Sequence, residues 1–98
     1  MEILPRSHML LGQFEELPFW VRKIWACLVE APPELLPISA SEIREAVNIQ
    51  GVRMPEGSAA TYLFKMTKLG MVSRTKGTCS SGRDCYLYMP IKGEQSAP

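Results

Sequence analysis

The run Leu63-Phe64-Lys65-Met66-Thr67-Lys68-Leu69-Gly70-Met71-Val72-Ser73-Arg74 decides how this chain is read. With Ala59 ahead of it, apolar residues fall at 59, 63, 66 and 69, the spacing of one face of an α-helix. Gly70 comes next, and a glycine just past the last periodic residue ends a helix. Met71 and Val72 then open a strand. A second β-rich run, Tyr86-Leu87-Tyr88-Met89, follows a segment whose Ser81-Gly82 has turn chemistry. The expectation is a helix to about Leu69, a strand over 71–77, a hairpin tip at 79–84 and a strand over 85–91. Alternation puts Tyr86 and Tyr88 on one face of that last strand and Leu87 and Met89 on the other. Ser58, after the turn Pro55-Glu56-Gly57, is the expected N-cap of the helix.

Working back toward the N-terminus, Val21, Ile24, Trp25 and Leu28 form an i, i+3, i+4, i+7 stripe. Trp20, Cys27 and Ala31 make a second apolar seam on the same helix. Pro18 suits its first turn, and Pro32-Pro33 stops it. Ile38 is read as a short edge strand or the start of helix two. Ser39 and Glu42 read as a capping box, with Ile43, Ala46 and Val47 facing inward. Asn48 and Gly51 end that helix. The connection from Asn48 to Gly57 is longer than the three- to four-residue turn of a tight helix-turn-helix.

Ninety-eight residues make one domain, and a hydrophobic fraction of 46% with 21% charged residues belongs to a globular chain rather than a disordered one. No apolar run approaches the roughly 20 residues of a membrane span. Met1 to Gly12 lacks a signal-peptide core and cleavage site, so a cytoplasmic protein is expected. Arg6-Ser7-His8-Met9 resembles a cloning remnant, so His8, the only histidine, carries no weight. Residues 1–13 are read as an N-terminal arm, flexible or partly a remnant, 14–91 as the folded domain and 92–98 as a disordered tail.

Of the three cysteines, Cys27 falls in the first helix as a core residue. Cys79 and Cys85 flank the hairpin tip and can face each other, as a redox pair or simply as two reduced thiols. Their C-x5-C spacing without a second ligand pair is poor for zinc, and no metal or cofactor is expected. With no catalytic constellation and no glycine-rich phosphate loop, the chain is not expected to be an enzyme, and no small-molecule ligand is evident.

The net charge of +1 hides an asymmetry. Residues 1–52 carry four basic side chains against seven acidic ones, a net of −3, and residues 53–98 carry seven against three, a net of +4. From Ser58 to Arg83 there are five basic residues and no acid. Such polarity is an electrostatic footprint for phosphate, or else a merely solvated face.

Three helices followed by a two-stranded hairpin, with Leu63-x-x-Met66-x-x-x-Gly70-Met71-Val72-x-Arg74 at the junction, resemble the winged helix-turn-helix superfamily of bacterial and archaeal regulators. Ile38-Ser39-Ala40-Ser41-Glu42-Ile43 is similar to the family's approach to helix two. The resemblance covers about Phe14 to Ile91. It implies an α+β fold with helix 58–69 in the major groove of double-stranded DNA and hairpin 72–91 as the wing. It also implies that Ser58, Thr61, Tyr62 and Lys65 face bases or phosphate, that Lys68, Arg74 and Lys76 clamp phosphates, and that Arg83 at the wing tip meets the minor groove or backbone. Against these stand plainer readings: Tyr62 half-buried under the long loop, Lys65 and Lys68 as ordinary surface lysines, and Arg83 paired with Asp84. Two departures stand out: the long connection between helices two and three, and apolar Phe64 and Leu69 where the family carries polar residues.

The expected function is therefore sequence-specific DNA binding by a small transcriptional regulator. Leu10, Leu11, Phe14, Phe19, Trp20 and Leu69 exceed the needs of a three-helix core and point to a homodimer. The alternatives are a protein-interaction module on the same fold, a plasmid or phage DNA-maintenance factor, and single-strand recognition through Tyr62, Tyr86 and Tyr88.

Overall fold

Among the described residues, the chain runs α1 (Phe19–Glu30), a 3-10 turn (Pro33–Leu35), β1 (Ile38–Ser39), α2 (Ala40–Ile49), α3 (Ser58–Lys68), β2 (Val72–Thr78) and β3 (Asp84–Pro90). This is the computed structural model, which describes residues 4–5, 14–51, 53–55, 57–79 and 81–92. Most of the expected arm, with His8, Leu10 and Leu11, and the tail from 93 onward lie outside the described residues. The fold is α+β: the three named α-helices lie beside an antiparallel sheet whose order, among the described residues, is β1-β3-β2. The sheet has one strand more than the expected hairpin, because Ile38 pairs with Tyr88 and Ser39 with Leu87.

The decisive stretch folds for local reasons. Ala59, Leu63 and Met66 are buried along one side of α3. Gly70 takes a φ of 75°, a left-handed turn that costs glycine little. Its N–H donates to the Thr67 carbonyl at 3.1 Å, and the Met71 N–H to the Met66 carbonyl at 2.9 Å. This is the Schellman pairing, which satisfies carbonyls left over at a helix end. It also turns Met71 and Val72 into the core. Leu69 fits the helical period but, counted as surplus to the core, is exposed: the helix has ended, and Met71 takes the buried place.

All four stripe residues of α1 are buried. Pro18 precedes the helix as its N-cap, and its carbonyl accepts from the Arg22 N–H. The α2 cap is the expected one: Ser39 Oγ accepts from the Glu42 N–H at 3.4 Å and donates to the Glu42 carboxylate at 3.1 Å. The α3 cap is not. Gly57, at φ 83°, is the N-cap and Ser58 is the first helical residue, with no side-chain cap. The left-handed glycine already turns the chain into the helix, so the serine comes one position late.

Phe14, expected as surplus surface, is buried in the core with α1. The sequence reading passed over Met54 in the long connection, yet it is fully buried. Asn48 Oδ1 accepts from the Met54 N–H at 2.8 Å, and Arg44 Nε donates to the Met54 carbonyl at 2.9 Å. Both polar groups of this buried backbone are thus held by α2, as a buried peptide requires. Leu4 also packs on the core, and Pro5 bridges Lys92.

Candidate nucleic-acid interface

Helix α3 has a buried side and an open one. Ser58, Thr61, Tyr62, Phe64, Lys65 and Lys68, with Gly57, line a single shallow groove on the open side. The structure thus brings together the five expected helix residues, but they are not equivalent. Lys65 and Lys68 are exposed, as is the small Ala60 beside them. Thr61 is exposed, yet its hydroxyl donates to the Gly57 carbonyl at 3.2 Å and so is partly spent on the helix start. Tyr62 is half-buried and packs on the core, which leaves only part of its ring for a ligand.

The hairpin contributes a second set of residues. Register pairs run from Val72 opposite Pro90 to Thr78 opposite Asp84. Alternation therefore puts Val72, Arg74 and Lys76 on the face that also carries Tyr86 and Tyr88. The base of that face is core, with Val72 and Tyr88 buried. Farther out, Arg74 and Lys76 are exposed and Tyr86 keeps 40% of its surface.

The two sets meet at Phe64, whose ring is 47% exposed. The Lys68 ammonium lies 4.7 Å from the centroid of that ring, and the Arg74 guanidinium carbon lies 5.9 Å from it. Arg74 is closer still to Tyr86, at 4.1 Å. A guanidinium set against two rings is restricted in orientation while its N–H edge stays available, and such contacts at exposed sites contribute about 0.5–1 kcal/mol each. Phe64 is thus the residue that connects α3 to the hairpin. Its apolar character had set it apart in the sequence; Lys68 is one helical turn on, but Arg74 sits ten positions away and no local pattern announces it.

Lys76 lies apart from this cluster, in a depression with Gly77, Thr78, Asp84, Cys85 and Tyr86. The Arg83 side chain lies at the exposed tip and forms no ion pair with Asp84 or any other described acid, while its carbonyl accepts from the Cys79 N–H at 2.9 Å. No acidic side chain among the described residues forms an ion pair with Lys65, Lys68, Arg74 or Lys76.

At the tip, Cys79 Sγ lies 2.8 Å from Ser81 Oγ. That hydroxyl, with backbone groups of Ser81 and Arg83, holds the Cys79 thiol down at about 7. The Cys85 thiol is pushed up, first by burial and then by its neighbour Cys79. Cys27, inside α1, is also raised, chiefly by burial and next by the charge of Glu30.

Among the described residues no group of three or more His, Cys, Asp or Glu side chains is placed to hold a metal ion, and no helix is long and apolar enough to cross a membrane. No protein-family model, curated protein or solved structure gives a significant match to the chain.

Proposed function

We propose that this chain is a winged helix-turn-helix protein that binds double-stranded DNA, with α3 as the recognition helix and the β2–β3 hairpin as the wing. The observation that carries this reading is the junction of Phe64, Lys68, Arg74 and Tyr86. It joins the open face of one helix to one face of the hairpin through two unpaired cations. A helix and a hairpin held side by side, both basic on the same surface, match what a duplex offers: a major groove wide enough for a helix, flanked by phosphates. In this reading Arg74, Lys68 and Lys76 contact phosphate and set the register, while Lys65, Ser58 and the exposed part of Tyr62 approach base edges. Arg83 reaches the backbone or minor groove from the tip. Transcriptional regulation in the cytoplasm is the role that fits such a module.

The exposed Phe19, Leu35 and Ile49, the last 85% exposed, support a homodimer. Sedimentation giving a monomer at tens of micromolar would remove that part of the reading. The same apolar surface, with a net charge of only +1, favours the second reading, a protein-docking module.

Fluorescence anisotropy with a labelled random-sequence duplex, titrated at several salt concentrations, tests the proposal. DNA binding predicts association at low salt that weakens steeply as salt rises, because non-specific binding is mostly counterion release. No association at the lowest salt overturns it and leaves the docking reading.

A further inference from the structure

We infer that Cys79 and Cys85 are a redox-modifiable pair that closes into a reversible intramolecular disulfide when the protein meets an anionic low-molecular-weight disulfide. The hairpin geometry brings them together. Gly77 pairs with Cys85 across the ladder, and the Cys79 N–H donates to the Arg83 carbonyl at 2.9 Å. Cys79 and Cys85 are therefore diagonal neighbours on one face of the ribbon. Each thiol acts on the other: Cys85 helps to hold the Cys79 thiol down, and Cys79 helps to push the Cys85 thiol up. Neither is locked in the core: both lie partly exposed on the hairpin, and Cys85 lines the depression beside Lys76. Lys76 lines that depression with Asp84, and Arg83 lies exposed at the tip; the two cations outweigh the one acid and attract an anionic disulfide such as glutathione disulfide.

The two sulfurs have different roles. Cys79, held down by Ser81, is the attacking thiolate, since a thiol near ambient pH combines thiolate population with nucleophilicity. It attacks one sulfur of R–S–S–R. That bond breaks, and R–S⁻ leaves with the electron pair and takes up the proton that Cys79 gave up. Cys85 then loses its proton and attacks the Cys79 sulfur, releasing the second R–S⁻, which is protonated in turn. The protein loses two protons and two electrons, and the small disulfide takes up both to become two thiols. Excess thiol reverses both steps.

Closure draws a diagonal pair to bonding distance and so reshapes the turn in which the Gly82 N–H donates to the Cys79 carbonyl. Arg83 sits within that turn. The site is thus placed to reset the one cation at the hairpin tip, a consequence that rests on the wing reading above.

The test exposes the full reduced chain at pH 7 to graded ratios of glutathione and glutathione disulfide, then traps free thiols with a maleimide after unfolding. The expected product keeps one free thiol, Cys27, with a peptide map joining the Cys79 and Cys85 segments. Cys79→Ser slows reaction with glutathione disulfide about tenfold or more, and Cys85→Ser halts it at the mixed disulfide on Cys79. A wild-type product that stays a mixed disulfide, links two chains, or involves Cys27 overturns the inference. Duplex titration of the closed form then separates the two proposals. A several-fold loss of affinity in the closed wild type, absent in Arg83→Ala, supports both. A closed disulfide in a protein that binds no duplex in either state keeps this inference and removes the DNA reading.

Discussion

The guanidinium of Arg74 rests 4.1 Å from the ring centroid of Tyr86, across the hairpin and two residues along β3 from its direct partner Tyr88. If Arg74 is a phosphate clamp, its charge and its orientation are separable. Arg74→Ala removes a phosphate contact and is expected to reduce the slope of log affinity against log salt by about 1. Tyr86→Leu keeps the charge but releases the guanidinium. It is expected to weaken duplex binding about two- to fivefold with the slope unchanged, the equivalent of about 0.5–1 kcal/mol. Paired anisotropy titrations of the two variants decide this.

The long connection is held by its polar atoms as much as by Met54. Asn48→Ala leaves the buried Met54 N–H without its acceptor and is expected to cost about 1–3 kcal/mol. Met54→Ala empties a core position and is expected to cost about 2–5 kcal/mol. Urea melts of the two variants report both values. A Met54→Ala protein as stable as wild type would show that the loop does not seal the core.

Gly57 is a conformational requirement rather than a packing one. Nothing lies within 4 Å of where its Cβ would stand, but its φ is 83°. Gly57→Ala is expected to destabilise by about 1–2 kcal/mol through backbone strain alone. Gly57→Asn, a residue that visits this region more readily, is expected to recover part of that loss in the same thermal melt.

The Cys79 thiol sets a pH dependence whose sign can be worked out. Its folded value, about 7, lies below the ordinary thiol value of 9.0, so folding favours the thiolate. The resulting stabilisation is fully present above about pH 9 and is lost as pH falls through about 7. Urea midpoints of wild type minus Cys79→Ser are therefore expected to rise between pH 6 and pH 9. Iodoacetamide is expected to label Cys79 with a midpoint near 7, and Ser81→Ala to move that midpoint upward by removing the largest cause of the shift.

Where structure depends on neighbours in the chain, the sequence was a sufficient guide. The buried side of α3, the glycine that ends it and the Ser39–Glu42 cap each link residues no more than five positions from the next. The misses share a different cause. Ser58 is a good capping residue, but the left-handed Gly57 already occupies the cap. Phe14 looked superfluous because its partners on the core are distant in sequence. Met54 sits in a polar loop, and only its bonds to Asn48 and Arg44, six and ten positions back, explain its burial. The candidate site divides the same way. The basic residues were visible as composition, whereas the meeting of Arg74 with the rings of Phe64 and Tyr86 requires the tertiary fold.

The position of β2 has one more effect. It is an outer strand of the sheet, paired with β3 on one side only among the described residues. Seven residues of unpaired backbone offer a template on which a second molecule can polymerise. Arg74 and Lys76 alternate along that strand, so a copy adding in antiparallel fashion brings cation against cation. The other border is blunted by the two-residue length of β1. The charges assigned to phosphate therefore also act as gatekeepers that oppose fibre growth, and neutralising both of them trades solubility as well as affinity.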